Sequence, residues 1–235
     1  MMARLAPIPL AYQPGSAWRY SLSMDVQGAI VERLSGQSLT AFMRDHIFEP
    51  LGMIDTAFHT PPDKADRLAT LYVKHEDAPF AAIANPLHAD EKSEPRLALG
   101  GAGLVSTIGD YARFAQMLLG EGSVEKRQII SAEAAQLMMT NHLSEQLMNR
   151  GFGGGHQRIR PGFGFGFNGV VFTDPKLAGV PVGRGTYHWD GAAGTWFWVD
   201  PTNDLLLVGM AQCLSYAAPP LQQMTQTLMA DAIED

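Results

Sequence analysis

The sequence contains a single cysteine, Cys213, so neither an intramolecular disulfide nor a zinc site built from cysteines is possible. It has no run of 18 apolar residues, and no membrane span is expected. A basic excess is also lacking: the formal net charge of -7 argues against a nucleic-acid or anionic-membrane partner. The seven histidines form no His-x-x-x-His pair, so we expect neither a metal ion nor a cofactor.

What is present is an ordinary globular composition, with 46% apolar and 17% charged residues. Apolar spacing and capping residues predict helices over five stretches, namely 23–34, 38–48, 108–119, 132–141 and 221–233. Strand-like runs bounded by turns fall at 166–172, 186–189, 195–199 and 205–213. Residues 60–98 show little periodicity and are predicted to form a long loop or lid with short helical pieces.

Helices therefore come first, and a run of antiparallel strands follows. This order predicts an α+β fold, with a mainly helical subregion at about 14–150 and a sheet plus a C-terminal helix at about 160–235. The whole chain, 1–235, is expected to form one domain.

Two short sequence segments indicate a type of chemistry. Residues 14–21 read Pro-Gly-Ser-Ala-Trp-Arg-Tyr-Ser, and residues 189–195 read Trp-Asp-Gly-Ala-Ala-Gly-Thr. They resemble the second and third motifs of the β-lactamase-like serine hydrolases, which include class C β-lactamases, penicillin-binding proteins and family VIII carboxylesterases. The resemblance extends from about residue 10 to residue 214, with further anchors at 47–58 and 100–119.

The resemblance implies a β-lactamase/transpeptidase-like sheet flanked by helices. In that family the nucleophile motif, Ser-x-x-Lys, lies well upstream of the tyrosine motif. Only 19 residues precede Tyr20 here, and none supplies it. We therefore expect a truncated domain without the N-terminal strands and the nucleophile helix. Its open sheet edge would associate with a second copy or with a complementary N-terminal segment.

The resemblance also assigns site residues. Tyr20 would shuttle the serine proton, and the backbone N–H of Ala192 would be one oxyanion donor, with Gly191 allowing close approach. From the residues alone, Tyr20 could equally be a buried aromatic at a helix start, and Trp189-Asp190-Gly191 a tight turn.

Substrate preference is expected from departures within the motifs. Leu22 replaces an asparagine that binds substrate amides in many relatives, and Trp189 replaces a lysine or histidine that meets a carboxylate. With Asp190 beside it, Trp189 favours a small, neutral ester with a short or medium acyl group over a β-lactam. His188 would still supply some positive charge when protonated.

The function expected from this resemblance is that of a carboxylesterase acting through an acyl-enzyme. Two alternatives stay open: a non-catalytic remnant that binds ligands, and a β-lactamase or D-amino peptidase-like activity. Ser123-Val124-Glu125-Lys126 fits Ser-x-x-Lys literally, but it follows a glycine-rich helix exit and is expected to be a solvated loop. The expected location is cytoplasmic, any leader lying upstream of these residues.

Overall fold

The computed structural model of the chain describes residues 2–74, 79–84, 93–150, 160–214 and 220–233. Its main sheet has five antiparallel strands in the order in which they occur along the chain. These strands are β5 (Phe163–Phe165), β6 (Val170–Phe172), β7 (Tyr187–Asp190), β8 (Thr195–Asp200) and β9 (Leu205–Met210). The antiparallel sheet after a helical region confirms the predicted α+β class.

Smaller strands form two further sheets. A three-stranded sheet contains β1 (Leu71–Val73), β2 (Ala81–Ile83) and β10 (Cys213–Leu214), with β1 between the other two. A hairpin joins β3 (Ser123–Val124) to β4 (Arg127–Gln128). The predicted lid at 60–98 therefore contains two strands that the sequence did not indicate, while its residues 75–78 and 85–92 lie outside the described part.

The helices agree with the predicted positions at most boundaries. They are α1 (Met2–Leu5), α2 (Ser23–Ser35), α3 (Leu39–Met43), α4 (Glu49–Leu51), α5 (Ile108–Leu119), α6 (Ala132–Met138), α7 (Glu145–Arg150), α8 (Pro175–Ala178) and α9 (Leu221–Asp231). A π-helical turn, Arg44–Phe48, joins α3 to α4 without a break, and a 3-10 helix spans Pro62–Arg67. In the part of the chain that the structure describes, no helix is both long and apolar enough to cross a membrane.

The main sheet is covered on both faces. Helix α5 packs on one face, where Ala115 and Leu118 are fully buried with Phe197 and Val199 of β8. Helix α9 lies on the other face, where the indole N–H groups of Trp196 and Trp198 both donate to the Thr225 hydroxyl at 3.3 Å. The alternation of side chains along β8 thus separates the two faces.

Helix α5 is anchored at its start by Asp110. The backbone N–H of Asp110 donates to the Thr107 hydroxyl at 3.2 Å, which caps the helix. The buried carboxylate of Asp110 in turn accepts from the Asp55 N–H at 2.7 Å and from the Thr56 hydroxyl at 2.9 Å. These bonds fix the segment that follows α4 against the helix that supports the sheet.

The two edges of the main sheet differ. Beside β5, the N–H of Phe165 donates to the Asn141 side chain at 2.9 Å, and its carbonyl accepts from the His142 N–H at 2.9 Å. Within the described residues, β9 pairs only with β8, and all six of its residues are half-buried. The predicted strand over 205–213 is in fact two strands, because the chain leaves the main sheet after Met210 and joins β1.

Candidate functional site

The structure brings Tyr20 and Trp189 together. Tyr20 lies just before α2, and Trp189 lies near the end of β7. Their ring centroids are 5.4 Å apart and their planes are tilted by 40°. Tyr20 is 57% exposed, so the alternative of a buried aromatic at a helix start is wrong. Among the described residues its hydroxyl has no hydrogen-bond partner, which leaves the phenol available to a reacting group.

The turn after β7 carries the predicted oxyanion donor. Gly191 donates to the Thr195 carbonyl at 2.7 Å, and Gly194 donates to the Gly191 carbonyl at 3.0 Å. Ala192 is exposed at the tip, and its N–H makes no hydrogen bond within the described part of the chain. A Cβ at Gly191 would collide with the Thr195 hydroxyl, so a larger residue here would force the Thr195 side chain to move.

Strand β10 holds this turn from the side. The N–H of Cys213 donates to the Ala193 carbonyl at 2.9 Å, and the N–H of Ala211 donates to the Gly194 carbonyl at 2.9 Å. Since β10 also pairs in parallel with β1, the turn is connected by hydrogen bonds to the predicted lid. The turn conformation is therefore determined by more than its own sequence.

Two further aromatic residues belong to this surface, although neither was predicted to be a site residue. The ring of Phe165 on β5 lies 5.7 Å from that of Trp189, in an edge-to-face arrangement. The ring of Trp18 lies 5.0 Å from that of Phe165. The position of Trp18 inside the tyrosine motif is the sequence signal that could have identified it as a site residue. No such signal marks Phe165, because its position follows from the pairing of β5 with β6.

The other predicted site residues have different positions. Leu22, 54% exposed, lies at the start of α2 near Tyr20. His188 is not brought to this surface: it is 8% exposed, packs against Phe172 with ring centroids 5.1 Å apart, and its Nδ1 is hydrogen-bonded to Gln222 of α9. By strand alternation Asp190 projects from the same face as His188. His188 is therefore a buried residue of the sheet and α9 contact, whereas Asp190 is half-buried at the end of β7.

Two other tyrosines belong to the core cluster, in which Tyr187 is buried and Tyr111 is partly buried. Burial raises the pKa of Tyr111 to about 12 and also raises the pKa of Tyr187, whose hydroxyl donates to the Phe167 carbonyl at 2.6 Å. Both phenols thus stay neutral at physiological pH. Within the described residues, no group of three or more His, Cys, Asp or Glu side chains is arranged to hold a metal ion.

The Ser123 motif lies elsewhere, in the β3–β4 hairpin. The Ser123 hydroxyl donates to the Gly120 carbonyl at 2.7 Å, and Lys126 occupies the turn with a φ of 67°. Serine and lysine are thus separated by a hairpin turn instead of lying one helical turn apart. A cavity of about 200 Å³ occurs on the α9 face and is lined by Trp198, Gln226 and Met229 among others, away from Tyr20.

Comparisons with known proteins agree with the motifs. The Beta-lactamase family model matches residues 1–225. Protein Rv1367c of Mycobacterium tuberculosis is 38% identical over 215 residues, which are 90% of this chain and 52% of that protein. Esterase EstB of Burkholderia gladioli is 32% identical over 200 residues, 83% of this chain and 50% of the esterase. The chain spans about half the length of these relatives.

A solved structure gives the same result for the fold. The structure of EstCE1, a hydrolase with promiscuous acyltransferase activity, superposes with a TM-score of 0.72 at 28% identity. The superposition covers 95% of this chain and 58% of that structure. It confirms the β-lactamase/transpeptidase-like fold expected from the two motifs.

Proposed function

This chain belongs to the beta-lactamase family, and we propose that it forms the tyrosine- and oxyanion-bearing part of a serine carboxylesterase. The observation that carries the proposal is the contact between Tyr20 and Trp189, with ring centroids 5.4 Å apart. Trp189 precedes Ala192 by three residues, and the Ala192 N–H makes no hydrogen bond within the described part of the chain. The two motifs lie far apart in the sequence, and their convergence creates one surface with an acid–base group and an oxyanion donor.

The proposed reaction has two steps. A serine from a segment outside these 235 residues attacks the ester carbonyl, and Tyr20 takes its proton with the help of a neighbouring cation. The Ala192 N–H stabilises the negative charge that develops on the carbonyl oxygen. Tyr20 returns the proton to the leaving alcohol as the acyl-enzyme forms. Water then attacks the acyl group, and the serine recovers its proton as the acid leaves.

A neutral ester with a short or medium acyl group is the proposed substrate. Leu22 and Trp189 present apolar side chains at the positions where β-lactam-binding relatives place polar or cationic groups. The names of esterase EstB and of EstCE1 as a hydrolase support an ester-directed activity. Cytoplasmic location stays a prediction from the sequence.

The edge of β9 is the proposed contact for a catalytic segment outside these residues. All six residues of β9 are apolar or glycine, and none is charged. An unpaired apolar edge favours pairing with another strand. We propose that a strand outside these residues pairs there; a second copy of the chain would be the competing occupant.

The test compares two substrates on one protein. The chain, joined to or co-expressed with an upstream segment that contains Ser-x-x-Lys, is assayed on p-nitrophenyl butyrate and on a chromogenic cephalosporin. The proposal expects a higher kcat/KM on the ester. A higher kcat/KM on the cephalosporin would favour the β-lactamase alternative, and no turnover of either by a folded protein would favour the non-catalytic remnant.

A further inference from the structure

Four aromatic rings form a continuous row along the candidate site. Tyr20 contacts Trp189, Trp189 contacts Phe165, and Phe165 contacts Trp18. The successive centroid distances are 5.4, 5.7 and 5.0 Å. All three lie within the range of favourable aromatic pairs. We call this row of Tyr20, Trp189, Phe165 and Trp18 the aromatic wall.

The wall rests on a packed base. Trp18, Phe165 and Trp189 are partly buried and pack against a cluster of fully buried side chains, which are Phe163, Val170, Phe172 and Val180. This packing restrains the three rings. All three rings are half-buried, and Tyr20 at the end of the row is 57% exposed. A rigid apolar surface that is only partly covered binds ligands at a small entropic cost.

The orientation of the rings favours an apolar group. The pairs Trp18–Phe165 and Phe165–Trp189 are both edge-to-face, with interplanar angles of 67° and 82°. In an edge-to-face pair the two ring planes meet at a large angle. A ring or an alkyl chain of a ligand placed in that angle contacts both aromatic rings. The Tyr20 hydroxyl is the polar group at the end of the row that bears the chemistry.

We propose that Trp18 and Phe165 are specificity-determining residues, which select esters whose acyl or alcohol part carries an apolar ring or a chain of about four or more carbons. This inference rests on the proposed function, because it takes Tyr20 as the reacting end. An ester bound with its carbonyl near Tyr20 then extends its apolar part over Trp189 and onto Phe165 and Trp18.

The kinetic test uses pairs of esters that differ in one apolar part. The pairs are p-nitrophenyl hexanoate against the acetate, and benzyl acetate against ethyl acetate. In the protein that contains the Ser-x-x-Lys segment, Phe165→Leu and Trp18→Leu should reduce the preference for the larger member about tenfold in one pair or both. The kcat/KM for the smaller member should fall less than that for the larger member, because the smaller ester has less apolar surface to place against Phe165 and Trp18.

Trp196→Phe is the matched control. Trp196 is a partly buried aromatic residue of the same sheet, but it faces α9 and donates to Thr225. Its replacement should leave both preferences unchanged. If both leucine variants are folded and keep the parent preferences within about twofold, the inference is wrong.

A binding experiment separates this inference from the proposed function. The 235-residue chain is titrated with N-benzylhexanamide, a neutral amide that carries both apolar parts and resists hydrolysis. Phe165→Leu and Trp18→Leu should weaken its binding about tenfold, and Trp196→Phe should not. No ester turnover with intact amide binding would reject the proposed function alone. Absence of amide binding to the folded parent would reject the aromatic wall as a ligand surface.

Discussion

The phenol of Tyr20 and the indole of Trp189 lie with ring centroids 5.4 Å apart, and the hydroxyl of Tyr20 is unengaged among the described residues. Trp189 therefore supports the Tyr20 ring without occupying its hydroxyl. A group held at its ring but not at its hydroxyl is suited to proton transfer, because no existing bond must break before the reaction.

The first prediction concerns Tyr20→Phe in the protein that contains the Ser-x-x-Lys segment. We expect kcat on a p-nitrophenyl ester to fall by about 10²-fold or more, with little change in KM, because the phenol acts on the proton in transfer. The phenylalanine keeps the ring contact with Trp189. A variant with unchanged kcat would show that the phenol takes no part in the reaction.

The second prediction is that Ser123 is not the nucleophile. Its hydroxyl is bonded to the Gly120 carbonyl in a hairpin, and the following Lys126 stands in the turn. Ser123→Ala should therefore leave esterase activity unchanged. Labelling with a serine-reactive phosphonate followed by peptide mass analysis should place the label elsewhere, and a label on Ser123 would contradict the assignment.

The third prediction concerns stability at the start of α5. Asp110→Ala removes the acceptor of two hydrogen bonds and leaves the Asp55 N–H and the Thr56 hydroxyl without it. We expect the free energy of unfolding to fall by about 2–4 kcal/mol, measured by denaturant titration. Asp174→Ala is the control, since Asp174 caps the short helix α8 through one bond and should cost about 1 kcal/mol.

The fourth prediction is a pH dependence at Asp55. Hydrogen bonds from Arg67 and Lys64, at 2.8 and 2.6 Å, lower the pKa of Asp55 from 3.8 to about 2. Because the pKa is lowered on folding, the stabilisation is present above about pH 4 and is lost as the pH falls toward about 2.

Asp55→Asn removes this titration. The Tm difference between parent and variant should be largest near neutral pH and should shrink steadily between about pH 4 and about pH 2. Asp174→Asn serves as a comparison, because Asp174 forms no ion pair with a cation in the described residues. A Tm difference for Asp55→Asn that is constant across this range would contradict the prediction.

The fifth prediction concerns the open edge of the main sheet. The 235-residue chain alone should show concentration-dependent sedimentation, since β9 offers an apolar edge without a neighbour in the described residues. Leu207→Lys on β9 should reduce this association, whereas Gln128→Lys on the exposed β4 should not. Equal sedimentation of all three proteins as monomers would show that the edge does not drive association.

Local signals in the sequence predicted much of the helical structure. Helix α5 occupies 108–119 as expected, and Ser131 caps α6 by accepting from the Ala134 N–H at 3.1 Å. Gly36 ends α2 with a φ of 73°, as a glycine after a periodic segment predicts. In each case the decisive contacts lie within a few residues of one another.

Other features depend on distant partners. Strands β1 and β2 have only three residues each, so no local periodicity marks them; β1 pairs with β10, and β2 pairs with β1. The sequence likewise placed His188 in the site, although its ring is buried against Phe172 and its Nδ1 is hydrogen-bonded to Gln222 of α9, a partner 34 residues away. The position of Phe165 follows from the pairing of β5 with β6, which composition alone does not specify.

The hydrogen bond from the Cys213 N–H to the Ala193 carbonyl joins the 191–194 turn, which bears the proposed oxyanion donor, to β10, and the pairing of Tyr72 with Cys213 joins β10 to the predicted lid. The predicted lid therefore cannot be replaced independently of the 191–194 turn. A lid grafted from a relative with a one-residue shift in this register would alter turnover as well as selectivity. Recombination between relatives should succeed more often when the lid, β10 and the 191–194 turn come from the same parent.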